Sequence, residues 1–192
     1  GPSVGPRVTL NGWLFLDIEY GKNETYINSK NNITFTLKSY DARKGTVSDY
    51  SGDFKLNLSL ISDNGNFSTD SFILGNVPVK VTYVPDDYGE ANVVVLANLP
   101  KYSYETYGIK YNVVDHPSDS FYALQYEIDH MKGNVLNLTN NYEFYLEIDD
   151  SNGIKINKSI TINGNGFIID GKDNSRIFTI LADDVVLENV SL

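Results

Sequence analysis

The stretch INKSITINGNGFIIDGKDNSRIFTILADDVVLENVSL, Ile156 to Leu192, decides the fold. Its apolar residues come in short alternating runs, and Asn, Gly or Asp separates each run from the next. Strands of about three to five residues with a small polar corner between each pair are the pattern of a parallel β-helix. Ile160 and Ile162 precede Val185 and Leu187 by 25 residues, a spacing suited to one coil. Inward Ile, Val and Leu then stack coil on coil, while Gly and Asn supply left-handed corners.

Working backwards, VLNL (135–138), YEFYLEI (142–148), IKI (154–156), SITI (159–162), FIID (167–170), IFTI (177–180) and VVLENVSL (185–192) read as the strands of this region. Ahead of them, SFYALQYEIDHMKG (120–133) places Phe121, Leu124, Ile128 and Met131 at helical spacing. Ser118, Asp119 or Ser120 is suited to cap its start and Gly133 to end it. The first coil of a stack exposes an apolar end and open strand edges, which invite edge-to-edge association. An amphipathic helix laid over that end hides both, as a terminal cap must.

The first half of the chain reads differently. GWLFLDIEY (12–20), ITFTLKSY (33–40), FKLNLSLI (54–61), SFILG (71–75), VPVKVTYV (77–84), ANVVVLANL (91–99) and YGIKYNVV (107–114) are strand candidates. In FKLNLSLI, Phe54, Leu56, Leu58 and Leu60 share one face; in VPVKVTYV, Val77, Val79, Val81 and Tyr83 do. One apolar face at period two is what a half-buried antiparallel sheet requires. DARKGT (41–46), DNGN (63–66) and PDDYGE (85–90) supply turns. Seven such strands predict an immunoglobulin-like β-sandwich over 8–115. The boundary falls at VVDHPSDS (113–120), and the capping helix with the first coils of a right-handed parallel β-helix occupies 118–192. The expected fold class is therefore mostly β.

Composition narrows the function. The chain has 192 residues and a formal charge of −10, so an acidic surface repels phosphate backbones and no nucleic acid partner is expected. With no cysteine, disulfides, thiolate metal sites and cysteine nucleophiles are excluded. No run reaches the roughly 18 apolar residues of a membrane helix, so no membrane insertion is expected within these residues. The opening GPSVGPR has neither the basic nor the apolar region of a signal peptide. It reads as a cloning remnant before an internal start, with any export signal or anchor outside this fragment.

SFYALQYEID (120–129), NVLNLTNNYEF (134–144), GIKINKSITINGNGFIIDG (153–171) and SRIFTILADDVVLENVSL (175–192), in that order, resemble the adhesin-like proteins of methanogenic archaea. The resemblance covers about residues 118 to 192. It implies a large exported, extracellular archaeal cell-surface protein that combines β-helix tracts with immunoglobulin-like modules and serves cell adhesion. It supplies no catalytic residues. The expectation is a non-enzymatic adhesin module without cofactor or metal, whose partners are cell-surface glycans or proteins of another cell. The alternatives are a structural spacer or stalk segment, and the remnant of a polysaccharide-degrading β-helix enzyme.

Specific residues follow from the chemistry. Sequons begin at Asn23, Asn32, Asn57, Asn66, Asn137, Asn157 and Asn189. In an exported glycoprotein Asn23 and Asn66, in turns, and Asn57, on a polar strand face, are the best acceptors. Asp86–Asp87, Asp149–Asp150 and Asp183–Asp184 lack the spacing of a calcium loop and read as solvated turn acids. Lys155, Lys158, Lys172 and Arg176 are too sparse for a lyase groove, and Asp170 reads as a corner residue rather than an acid catalyst. His116 and His130 join no triad or metal pattern. Of the 14 tyrosines, Tyr102, Tyr104, Tyr107 and Tyr111 cluster in YSYETYGIKY (102–111). Tyr102, Tyr104 and Tyr107 are the candidate ligand patch, since aromatic rings stack on sugars.

Overall fold

The structure is a computed structural model. It describes residues 4–9, 13–99 and 103–192, and the side chains of 13–99 and 105–192. The protein is mostly β, and the chain divides into two compact units between Asp115 and His116.

The first unit is two sheets on one core. Its strands are β1 (Val4–Thr9), β2 (Leu14–Tyr20), β3 (Glu24–Tyr26), β4 (Asn31–Asp41), β5 (Thr46–Asp49), β6 (Leu56–Ser62), β7 (Asn66–Phe67), β8 (Ser71–Leu74), β9 (Val79–Val84), β10 (Gly89–Leu99) and β11 (Ser103–Val114). One sheet runs β1-β2-β4-β9-β7 with β5 on β4; the other runs β3-β11-β10-β6-β8. Alternate residues from both sheets form a single buried cluster, among them Ile33 and Phe35 of β4, Leu56 and Leu58 of β6, Val81 of β9, Val93 of β10 and Ile109 of β11. Burying each such side chain contributes about 1.5–3 kcal/mol, which is why period two in the sequence fixes the inward face.

Two strand starts differ from the sequence reading. Val77 is 68% exposed and outside its strand, because Pro78 has no N–H to give and β9 begins only at Val79. Phe54 is half-buried against the core but precedes β6. The exposed β5 and the three-residue β3 carry no apolar alternation. Among the described residues β3 is the one parallel partner in its sheet: Glu24 to Tyr26 pair with Asn112 to Val114 of β11. Buried Thr25 anchors the excursion, sharing a hydrogen bond with Ser29 and donating to Asn31 Oδ1 at 2.9 Å.

The second unit begins with α1 (Phe121–His130) and continues through β12 (Val135–Asn137), β13 (Tyr142–Glu143), β14 (Ile154–Ile156), β15 (Thr161–Asn163), β16 (Ile169–Asp170), β17 (Phe178–Ile180) and β18 (Val186–Glu188). These form three short parallel ladders, β12-β15-β18, β13-β16 and β14-β17. Ile162 pairs with Leu136 on one side and Leu187 on the other; Ile154 pairs with Phe178. Inward residues of the ladders share a second core with Phe121, Leu124 and Ile128 of α1.

Corners between ladders use left-handed residues, including Asn165 at φ 49 and Asn189 at φ 52. Gly164 is required for another reason: a Cβ there would stand 2.4 Å from the carbonyl oxygen of Asn189, where the next turn of chain passes. YEFYLEI is strand only at Tyr142–Glu143. Its second half turns, with Asp149 N–H donating to the Tyr145 carbonyl at 2.8 Å, and that turn carries Asp149 to the start of α1.

Candidate functional site

α1 is set in place by side chains on both sides of its axis. Ser120 caps it, accepting from Ala123 N–H at 3.1 Å. The Asp149 carboxylate takes three further donors: Phe121 N–H at 3.1 Å and Tyr145 N–H at 2.9 Å on Oδ2, and Tyr122 N–H at 3.0 Å on Oδ1. A carboxylate at the positive end of a helix is favourable, and here it also satisfies otherwise orphaned donors. On the next turn Gln125 accepts from Lys155 N–H at 2.7 Å and donates to the Lys155 carbonyl at 3.0 Å. An amide side chain thus takes the place of a neighbouring strand along β14.

Between α1 and the segment 148–157 lies a half-open groove of about 400 Å³. Its apolar floor includes Phe121 and Ile154; its walls carry Gln125, Asp129, Asp150 and Lys155, with Tyr122 at the rim. Tyr122 is 50% exposed, and the imidazole of His116 stacks on it with centroids 3.6 Å apart and planes 14° apart. One turn on, Tyr126 is 55% exposed and stacks on His130 at 3.9 Å and 22°. His130 Nδ1 donates to the Tyr126 carbonyl at 2.8 Å, which fixes its tautomer. His116 Nδ1 is buried without a hydrogen-bond partner among the described residues, so stacking positions that ring. Each exposed phenol is therefore braced by an imidazole.

The sequence pointed to a different aromatic patch. Tyr102 lies outside the described residues, and Tyr104 is described only as a backbone position of β11, paired with Asn98. Tyr107 is half-buried and packs on the first core. Tyr111 is buried, with its ring stacked on Tyr83 at 5.1 Å. Tyr122 and Tyr126 were missed because the helix was read for its apolar stripe. Their signal is an aromatic pair four residues apart on the polar side of that stripe, with a histidine near each.

The other candidates fall in separate places. Asn23, Asn57 and Asn66 are all exposed. Asp86 and Asp87 donate backbone N–H groups to Asn64 Oδ1, at 3.1 and 3.0 Å, and close a turn. Asp170 accepts from Lys172 N–H at 2.8 Å, and this bond, with the Lys172 charge, holds its carboxyl below the usual carboxylate range. The Lys172 ammonium reaches Asp170 and Glu143 at 3.5 and 3.6 Å, bridging two turns of chain. Among the described residues no group of three or more His, Asp or Glu is placed to hold a metal ion. No described helix is long and apolar enough to cross a membrane.

No family model matches the sequence, and no curated protein matches it. Several solved structures are similar in part, among them the following three. A conjugative transposon lipoprotein from Bacteroides eggerthii shares 16% identity over 50% of this chain and 94% of that one, with a TM-score of 0.35. Domains 4 and 5 of the S-layer protein SbsC share 15% over 59% of this chain and 54% of that one, at 0.35. The D0–D1 domain of intimin shares 12% over 52% and 62%, at 0.32. The alignments thus span less than two thirds of the S-layer and intimin chains, and overlaps this loose carry no argument about what the chain does.

Proposed function

We propose that this chain is a non-catalytic, extracellular module of the cell surface that attaches its bearer to other cells or their glycans. On this reading its first unit is an immunoglobulin-like sandwich. The order β2-β4-β9-β7 against β11-β10-β6 follows the two-sheet strand order of that class. Its second unit is the helix-capped start of a right-handed parallel β-helix, supported by three parallel ladders whose partners lie about one coil apart. The observation that carries attachment is the groove beside α1, a concave mixed surface with Tyr122, half-exposed and braced by His116, at its rim.

Purified chain applied to a glycan array and to intact cells tests the reading. Saturable binding is expected. Its absence from every surface would favour a spacer, and release of reducing sugar from a polysaccharide would favour an enzyme remnant.

A further inference from the structure

We infer that the groove between α1 and residues 148–157 binds a neutral saccharide, with one sugar ring on Tyr122 and its hydroxyls on Asp129, Asp150 and Lys155. The inference rests on the attachment reading and names its ligand.

Three observations select this occupant. The first is the closed strand edge. An extended peptide enters a β site by pairing with open backbone groups, but Gln125 already takes the N–H and the carbonyl of Lys155. The second is the aromatic rim. A pyranose has an apolar face of C–H groups and a rim of hydroxyls, so it needs a flat ring beside polar side chains. Tyr122 lines the groove, and the His116 ring stacked on it fixes its plane before any ligand arrives. An aromatic fixed in advance loses less entropy on binding.

The third is charge. Asp129, Asp149 and Asp150 stand in the groove against Lys155, within a chain of net charge −10. Uronic, sulfated or sialylated chains are repelled, whereas neutral hydroxyls find acceptors and a donor. Asp149 is committed to three backbone N–H groups. Asp129 accepts one bond, from Gln125, and Asp150 one, from Asn152 N–H, so each carboxylate keeps acceptor capacity toward the groove.

The test is a panel of immobilised neutral, sialylated and uronic oligosaccharides, probed with the whole chain and with Tyr122→Ala, Tyr122→Phe and Asp150→Ala. Far-UV circular dichroism and thermal melting check that each variant folds. Neutral members should bind. Tyr122→Ala should weaken them about tenfold, Tyr122→Phe should keep most of the affinity, and Asp150→Ala should weaken them with no change in melting. Neutral-glycan binding that ignores Tyr122→Ala overturns this site but leaves attachment standing through another face. Preference for anionic members overturns the ligand class. No binding to any member, together with none to intact cells, overturns both readings.

Discussion

The hydroxyl of Tyr142 donates to Glu127 Oε2 at 3.0 Å, joining the start of the β13 ladder to the underside of α1. Three residues on, Tyr145 donates to Asp119 Oδ1 at 2.8 Å, just ahead of the helix start. Burial first, and the adjoining carboxylate second, hold both phenols protonated well above their ordinary value. Their folded pKa values are raised, so their contribution to stability is complete below the unfolded phenol value of about 10. It is lost as pH climbs beyond that. Alkaline titration should show a late group of tyrosines ionising together with loss of secondary structure. Tyr142→Phe and Tyr145→Phe should shrink that late group. Complete ionisation near pH 10 with circular dichroism intact would refute the account.

Gln125→Ala removes both bonds to the Lys155 backbone and uncovers the outer edge of β14. The expected cost is about 1–3 kcal/mol, and the open edge should promote self-association. Melting temperature and size-exclusion profile read the two effects separately. A variant as stable and as monomeric as the parent would show that the edge needs no cover.

Gly153 sits at φ +81, and a Cβ there would lie 2.6 Å from the Arg176 carbonyl oxygen and 2.7 Å from that of Ile177. Gly153→Ala therefore meets both backbone strain and a collision between successive turns of chain. A loss of about 2–4 kcal/mol is expected. Gly133→Ala is the control: φ is +78 but the space is empty, so only the strain of about 1 kcal/mol remains. Equal melting losses for the two would mean that the close approach at Gly153 does not matter.

Expression in a host that modifies sequons should yield glycans on Asn23, Asn57 and Asn66, which are exposed. Asn157 also begins a sequon and is exposed like the other three, but it lines the groove, so a glycan there would fill the proposed binding site. Site-by-site mass spectrometry reads all four positions. Three unmodified acceptors would count against the exposure argument, and an occupied Asn157 in protein that still binds neutral glycans would count against the groove.

Long alternations were the most legible feature of the sequence. Leu56, Leu58 and Leu60 declared an inward face because only one register buries all three. The pairing of Ile162 with Leu187 was readable from spacing alone, since stacked turns of chain must repeat at near-constant length. β3 was not readable, because three residues with a single buried position carry no periodicity; its place depends on distant β11. The site was less legible than the fold. The apolar stripe of α1 could be read from Phe121, Leu124 and Ile128, but the rim made by Tyr122 depends on where residues 148–157 pass. The bracing of Tyr122 by His116 likewise needs the chain to double back across the helix start.

The parallel pairing of β3 with β11 has a mechanical consequence. Glu24–Tyr26 runs in the same direction as Asn112–Val114; β11 ends the first unit, whereas β1 and β2 precede β3. Once tension has drawn β1 and β2 away, it pulls β3 and β11 lengthwise past each other, so their hydrogen bonds are loaded together in shear. In an antiparallel hairpin pulled at its open end the bonds would break in succession, each bearing the load by itself. A module exposed to flow gains a resistance to stretching that its equilibrium stability does not reveal. Single-molecule pulling of the whole chain, with Thr25→Pro to break the clamp, would show it as a drop in the force at which the first unit yields.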